Sequence, residues 1–316
     1  MNNNSNTVPC AEPLVSVGVP CYNRPDGLRC LLDSIIKQSY SNLDIIVSDN
    51  CSTDDGVGQV AQEFASRDPR IRYFRQDTNI GLYPNHDFVR NHALGDYFFW
   101  VADDDEIPVD YVEKCMAHFD DAPDIVIVGP SCDRYLDGDY WYTYDNYSDV
   151  GKDTYHRLKD MIPHAFTGPN KFEQYFYGIF PRKAIPKKFV LGEFRCELLL
   201  FFQLSERGCI QHASDVRLVK STSKAYLDSY KTNASIHRHL WLNLFGRKAE
   251  RTIPVTVGMI LIVIRSGNLK FLQKMRLISK CLTCYKRYVL YPDFKHRVKY
   301  PRRQIGRSYR YFIRMI

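Results

Sequence analysis

Four consecutive acids, Asp103, Asp104, Asp105 and Glu106, follow directly on the apolar run Tyr97 to Val101. Carboxylates so crowded repel one another, and at the end of a buried strand they are costly unless a cation or ordered donors neutralise them. A divalent metal meets that need. Oxygen-only ligands favour Mg2+ or Mn2+, which retain waters and take further ligands from a substrate's phosphates. The same residues would also serve as a solvated acidic turn before the next helix, with Pro108 near its start. A second polar cluster, Asp49 to Asp54 (DNCSTD), follows the apolar stretch Leu43 to Ser48. Asp49 is placed to accept hydrogen bonds from a ribose or a base, while Ser52 or Asp54 would cap the helix that follows. A third cluster, Pro20, Cys21, Tyr22, Asn23 and Arg24, sets an aromatic face beside an amide. That pairing suits stacking on a nucleobase and hydrogen bonding to it, and equally suits a plain turn.

Each cluster needs a strand to carry it. Residues 14 to 105 alternate short apolar runs with amphipathic stretches, the pattern of a largely parallel sheet covered by helices. Strands are expected at Leu14–Val19, Leu43–Ser48, Ile71–Phe74 and Tyr97–Val101, and helices at Pro25–Gln38, Gly56–Ser66 and Asn85–Ala93. In such sheets ligands collect beyond the carboxyl ends of the strands, where all three clusters fall. Further on, Ile125–Val128 reads as a strand, Ser131–Tyr177 as irregular loops forming a substrate wall, and Glu197–Arg207 as a helix stopped by Gly208.

The chain has 316 residues, 45% hydrophobic and 25% charged, which allows one large domain or two modest ones and excludes a disordered or disulfide-stapled chain. The longest nearly apolar run, Val255 to Ile264, is about half of what a membrane-spanning helix needs. The polar start Met1 to Thr7 does not read as a secretory signal, so a cytoplasmic protein is expected. Ten scattered cysteines read as free, mostly buried thiols, and Cys281 with Cys284 lacks the second pair of a zinc site. Gly56, Gly58 and Ala61 fit G-x-G-x-x-A, yet they follow the second strand and a polar loop rather than the first strand, so they are no dinucleotide fingerprint. Walker A, G-x-S-x-G and H-E-x-x-H patterns are absent, and the nine histidines are not spaced as a metal set.

The net charge of +7 is unevenly spread: residues 247–316 carry 18 Lys and Arg against 2 Asp and Glu, a net +16, which leaves 25 against 34, or −9, for residues 1–246. The basic tail sets Leu269, Phe271, Leu272, Met275, Leu277 and Ile278 at roughly the spacing of one helical face. Such a segment can lie on an anionic bilayer, each Lys or Arg near the headgroups adding about 1 kcal/mol. A solvated helical hairpin completing the fold, or a nucleic-acid-binding tail, would use the same residues.

Several dispersed stretches together spell a known pattern: VSVGVPCYNRP at Val15 to Pro25, SIIKQSY from Ser34 to Tyr40, DIIVSDNCSTD at Asp44 to Asp54, then Asn79 to Gly81, Gly95 to Tyr97 and Asp103 to Asp105. In order and spacing, from about Leu14 to Ile127, the chain resembles the family 2 glycosyltransferases. The resemblance implies the GT-A fold, an α/β architecture with a Rossmann-like, mostly parallel sheet flanked by helices, extended by a C-terminal helical segment. It implies an inverting transferase that moves a sugar from a nucleoside diphosphate sugar to a hydroxyl. Carried over residue by residue, Pro20, Tyr22 and Asn23 would contact the nucleotide, and Asp49 the base or ribose. Asp103 to Asp105 match the DxD-type motif for Mn2+ or Mg2+, with Asp105 as direct ligand and Asp103 and Asp104 at the ribose, the sugar or the metal and its waters. Asn79 and Asn85 would be further donor-site residues. Glu197 matches the family's general base, seven residues before Leu204 and eleven before Gly208, with Glu193 as its rival and an ordinary acid of a helix start as the alternative for both.

Two departures stand out. The stretch Lys220 to Lys224 has no His where the family often has His or Arg, and the Gln-x-x-Arg-Trp motif and membrane spans of processive synthases are missing. A single-addition enzyme is expected, with a disordered start (1–12), a catalytic domain in donor (13–128) and acceptor (129–240) halves, and a basic extension (241–316). Its acceptor would be a lipid-linked oligosaccharide of O-antigen- or capsule-type polysaccharide assembly, reached from the inner face of the plasma membrane through residues 247–316, with no nucleic-acid partner. An inactive nucleotide-sugar binder is the principal alternative.

Overall fold

The structure, a computed structural model, describes residues 12–103, 105–144, 147–164, 176–186, 196–222 and 255–286. Residues 1–11 of the start expected to be disordered (1–12), Asp104, Glu193 and the outer parts of the basic tail (247–254 and 287–316) lie outside them. The described residues fall into two compact units, Met1–Glu113 with Ile179–Lys183 and Lys114–Gly178 with Ala184–Ile316.

In the first unit, β1 (Val15–Cys21), β2 (Leu43–Asp49), β3 (Ile71–Arg75) and β4 (Tyr97–Trp100) form a parallel sheet in the order β3-β2-β1-β4, and the short strand Phe180–Pro181 adds an antiparallel edge. All seven residues of β1 and all seven of β2 are buried, as strands covered on both faces require. Pro25 opens α1 (Pro25–Ile36), where its missing N–H is no loss, and Leu28, Leu31, Leu32 and Ile35 bury one face. Gly56 and Gly58 open α2 (Gly56–Arg67), an ordinary amphipathic helix burying Val57, Val60, Ala61 and Phe64. The third helix, α3 (Leu82–Asn91), starts three residues earlier than the sequence suggested, because Pro84 sits in its first turn, where proline is tolerated.

The amino ends of these strands meet in a buried polar hub. Ser16 Oγ donates to Asp44 Oδ2 at 2.6 Å, the Leu94 amide donates to the same oxygen at 2.9 Å, and the Gly95 amide donates to Ser16 Oγ at 2.8 Å. Arg72 closes the hub on Asp44 Oδ1 at 2.8 Å. Gly95 is required by space, since a Cβ there would stand 2.5 Å from the Leu14 carbonyl oxygen and 2.8 Å from the Ser16 nitrogen.

The second unit begins within α4 (Tyr111–Ala117) and holds a sheet ordered β6-β5-β7, built from β5 (Ile125–Leu136), β6 (Asp139–Tyr144) and β7 (Cys209–Thr222). The loops expected over Ser131–Tyr177 are corrected here. Strand β5 runs on to Leu136, and Asp137 and Gly138, at φ 52° and 90°, make the two-residue turn into β6. Helix α5 (Thr154–His164) follows, its start capped by Asp153 Oδ1 accepting from the His156 amide at 2.8 Å. Helix α6 (Cys196–Arg207) ends at Gly208 as expected, where a Cβ would collide with the Asp124 carbonyl oxygen. Two further helices, α7 (residues 255–265) and α8 (Phe271–Tyr285), are joined by a short turn. Of the eight cysteines whose side chains are described six are buried, and all eight are free thiols. No helix among the described residues is long and apolar enough to cross a membrane.

Two outcomes test this packing. Gly95→Ala is expected to destabilise the fold by about 3 kcal/mol or more, because backbone must move to admit the methyl group, whereas Gly267→Ala, with open space around it, leaves the urea midpoint near wild type. His118 lies between Asp215 and Asp121; desolvation lowers its affinity for a proton, but hydrogen bonds to the two carboxylates outweigh that and raise its pKa. Its contribution is therefore full below the unfolded value of about 6.5 and lost as pH rises through the raised folded value. Wild type should exceed His118→Asn by about 0.5–1 kcal/mol at pH 6, and urea melts should show that margin shrinking at alkaline pH.

Candidate functional site

Because β1, β2 and β4 run parallel and in register, with Cys21 opposite Asp49 and Gly18 opposite Trp100, the loops that follow them emerge at one edge of the sheet. Those loops carry the three polar clusters, and they are bonded to one another. Asp103 Oδ2 accepts from the Tyr22 amide at 3.1 Å, and its Oδ1 faces Arg24 Nη1 at 3.4 Å. The Asn23 amide donates to Ser52 Oγ at 2.9 Å, and Asn23 Oδ1 accepts from the Thr53 amide at 2.8 Å. Asn23 (φ 56°) and Cys51 (φ 62°) both occupy the left-handed region, a strained conformation for side chains other than glycine and one that gathers at functional sites.

Asp49 is wholly buried. Its Oδ1 accepts from the Ser52 amide at 2.9 Å and from Ser52 Oγ at 2.6 Å; its Oδ2 accepts from the Tyr73 hydroxyl at 3.3 Å and faces Arg75 Nη1 at 3.4 Å. Burial, reinforced by the Asp49 charge, pushes the Tyr73 phenol up to about 12, so it remains a donor. Ser52 thus turns inward and does not cap α2. Asp54 does act at the helix start, accepting from the Gly56 amide at 2.8 Å. Asn50 spans the gap to Asn79, donating to Asn79 Oδ1 at 3.0 Å and accepting from the Ile80 amide at 2.9 Å. Asn85 is buried behind these loops; its Oδ1 accepts from Ser48 Oγ at 2.6 Å and its Nδ2 donates to the Ser48 carbonyl at 2.9 Å.

Pro20 and Asp49, at the ends of β1 and β2, and Tyr22, Asn23, Asn79, Asp103 and Asp105, in the loops that follow strands, thus come from one sheet, with Tyr22 exposed and Asp105 half-buried. Cys21, between them, is held as a thiol: burial first, then the charges of Asp103 and Asp49, raise its pKa well above the ordinary value. Among the described residues no three His, Cys, Asp or Glu side chains are grouped to hold a metal. Asp103 and Asp105 are an oxygen-only pair, however, and so few protein ligands fit a hard cation that completes its shell with phosphates and water. Glu197 lies in the first turn of α6 in the second unit; its side chain lies outside the described residues, as does the whole of Glu193. Lys220, from the stretch without a His, is buried with Nζ 3.5 Å from the centroid of the Tyr177 ring.

Arg75 escaped the sequence reading, and Asn50, a member of the second cluster, had no role of its own in it. The signal for Arg75 was its place at the carboxyl end of β3, directly opposite Asp49 in the ladder. Its guanidinium also donates to the Ser52 carbonyl at 2.9 Å and faces Asp55 at 3.6 Å.

Comparison with known proteins bears on the family and the fold. The family model described as glycosyl transferase family 2 matches residues 16–188. Glycosyltransferase GlyA of Streptococcus pneumoniae is 42% identical over 99 residues, 31% of this chain and 14% of its own length. The putative colanic acid biosynthesis glycosyl transferase WcaA of Escherichia coli is 34% identical over 113 residues, covering 34% of this chain and 38% of its own. The chain thus matches well under half the length of these relatives. A crystal structure of Staphylococcus aureus TarS 1-349 in complex with UDP-GlcNAc shares the fold, with a TM-score of 0.62 at 15% identity over 96% of this chain and 81% of that one. The mixed sheet with its helices is therefore the GT-A type.

The roles given to Asp49 and Arg75 differ in a way that stability measurements separate. Asp49→Ala strands donors on Ser52 and Tyr73 and should cost about 2–4 kcal/mol, whereas Arg75→Ala removes a partly exposed side chain and should cost clearly less. Equal losses for the two variants in urea melts would refute the anchoring role of Asp49.

Proposed function

Since the chain belongs to glycosyl transferase family 2, we propose that it transfers a sugar from a nucleoside diphosphate sugar to a hydroxyl acceptor with inversion at the anomeric carbon. The observation that carries this reading is the bonding of three strand-end loops around Asp103 and Asp49, with an aromatic ring and two arginines at their rim. Tyr22 offers its ring to the base, while Asn23, Asn79 and the Arg75 held by Asp49 surround the nucleoside. Asp103 orients the Tyr22 backbone and the ribose or sugar, Asp104 completes the motif, and Asn85 supports the site from beneath. Asp105, with help from Asp103, would hold Mg2+ or Mn2+, which when bound supplies positive charge to a departing diphosphate. Glu197 accepts the proton of the acceptor hydroxyl as the sugar carbon is attacked from the opposite side. That TarS was solved with UDP-GlcNAc supports a donor of this class.

The acceptor we assign to a lipid-linked oligosaccharide in surface polysaccharide assembly. Support comes from the names of WcaA and of the putative teichuronic acid biosynthesis glycosyltransferase TuaG of Bacillus subtilis, and from the basic tail, which would bring the enzyme to the cytoplasmic face of an anionic membrane.

The decisive experiment scans UDP, GDP and dTDP sugars for hydrolysis or thermal stabilisation with and without Mn2+. One of them should give metal-dependent turnover, and Asp105→Asn should lower it at least a hundredfold while leaving the melting temperature of the unliganded protein unchanged. Turnover that survives this substitution, or a panel without response, would overturn the reading.

A further inference from the structure

The turn between α7 and α8 gathers large apolar side chains in water. Phe271 is 74% exposed, Leu272 68%, Ile264 51%, Met275 49% and Leu261 43%, all within the end of α7 and the first turns of α8. They are not the whole face that the sequence suggested. Leu269 and Leu277, drawn from the same stripe, are buried with Val263, Cys281 and Tyr285, so the hairpin is packed by one face and leaves its tip uncovered. The turn is also rigidly made. Ser266 Oγ donates to Glu206 Oε1 at 2.6 Å, Asn268 Nδ2 donates to the same oxygen at 3.0 Å, and Gln273 Oε1 accepts from the Lys270 amide at 2.9 Å.

The charge carried by the hairpin itself has one sign, and the acid beside the turn is Glu206, whose carboxylate is bonded to Ser266 and Asn268. Residues 255–286 contain six Lys and Arg and no Asp or Glu. Arg265, Lys270 and Arg276 are exposed beside the apolar group, and no described ion pair engages any of the six. Exposed aromatic and aliphatic side chains ringed by cations match a bilayer interface carrying anionic lipid: the apolar group enters the boundary between headgroups and acyl chains, and the cations face lipid phosphates. A protein partner would have to supply both an apolar socket and a matching acidic rim.

We propose that this hairpin tip, led by Phe271 and Leu272, is the element that inserts into the anionic membrane surface. The proposal deepens the membrane reading above and rests on it, but not on the identity of donor or acceptor.

The test is co-sedimentation of the full chain with vesicles of phosphatidylcholine alone and with 30% phosphatidylglycerol, in parallel with the double variant Phe271→Ser, Leu272→Ser. Wild type should bind the anionic vesicles, with affinity falling as salt rises, and the variant should bind at least tenfold more weakly with an unchanged melting temperature. Phe271→Trp should gain a blue-shifted fluorescence component, quenched by brominated lipid, on addition of the same vesicles. Wild type that stays in the supernatant at low salt, or a variant that binds equally well, overturns the proposal. So does a variant that keeps its vesicle binding while its sedimentation coefficient falls, which would make the tip a contact between copies of the chain. Donor-dependent thermal stabilisation, measured without lipid, should be equal in both proteins, so failure here is separable from failure of the transferase reading.

Discussion

A carboxylate sealed from water at the end of a strand persists only if its partners are built in, and Asp49 is such a carboxylate. Its donors come from two directions, the loop after β2 and the strand β3. Satisfying one buried charge therefore fixes two things together, the path of residues 50–54 and the position of the Arg75 guanidinium. The left-handed backbone at Cys51 follows from that constraint, since Ser52 must turn back toward Asp49 within three residues. Ser52 then meets the Asn23 amide, so the loop after β1 takes its course from the same charge. The groups offered to a ligand are held by what lies beneath them.

The opposite end of the sheet shows the same economy. Ser16, Asp44 and Arg72 tie the amino ends of β1, β2 and β3 to the segment entering β4. Gly95 lets the chain pass close enough for those bonds to form. Asp103 lies only a few residues beyond, so its height above the sheet is set partly by register fixed at the other edge. A buried polar network is useful in this way only when its members are satisfied, because each unpaired group would cost more than its bond returns.

The first unit was largely legible in the sequence because fully buried parallel strands produce continuous apolar runs, and amphipathic helices between them leave few alternatives. The positions of Tyr22, Asn23 and Asp103 at strand ends followed from that pattern. What the sequence did not show was direction. Asp49 looked like a ligand contact, yet a carboxylate after a strand can turn outward to solvent or inward to Ser52 and Tyr73, and residue type alone does not distinguish the two. Arg75 was passed over because an arginine at a strand end is usually a solvated charge. In the second unit the Asp137-Gly138 turn was a strong hairpin signal, but the tyrosines and aspartates around it masked the alternation of β5 and β6. The tail misled in another way: its apolar stripe is real, but the fold divides it, burying Leu277 and exposing Phe271.

Charge at the site argues for a cation independently of any motif. The described site sets the carboxylates of Asp55, Asp103 and Asp105, with that of Asp49 buried beneath them, against the guanidinium groups of Arg24 and Arg75. Both arginines already face carboxylates, so little of their charge is free for an incoming anion. A diphosphate would enter a region of net negative charge and be repelled. A site meant to bind a polyanion through arginine alone would gain by losing Asp105, whereas a site that binds it through a shared divalent ion needs that carboxylate. On the function proposed above, the acidic end of β4 would be one half of a coordination shell whose other half arrives with the diphosphate of the donor.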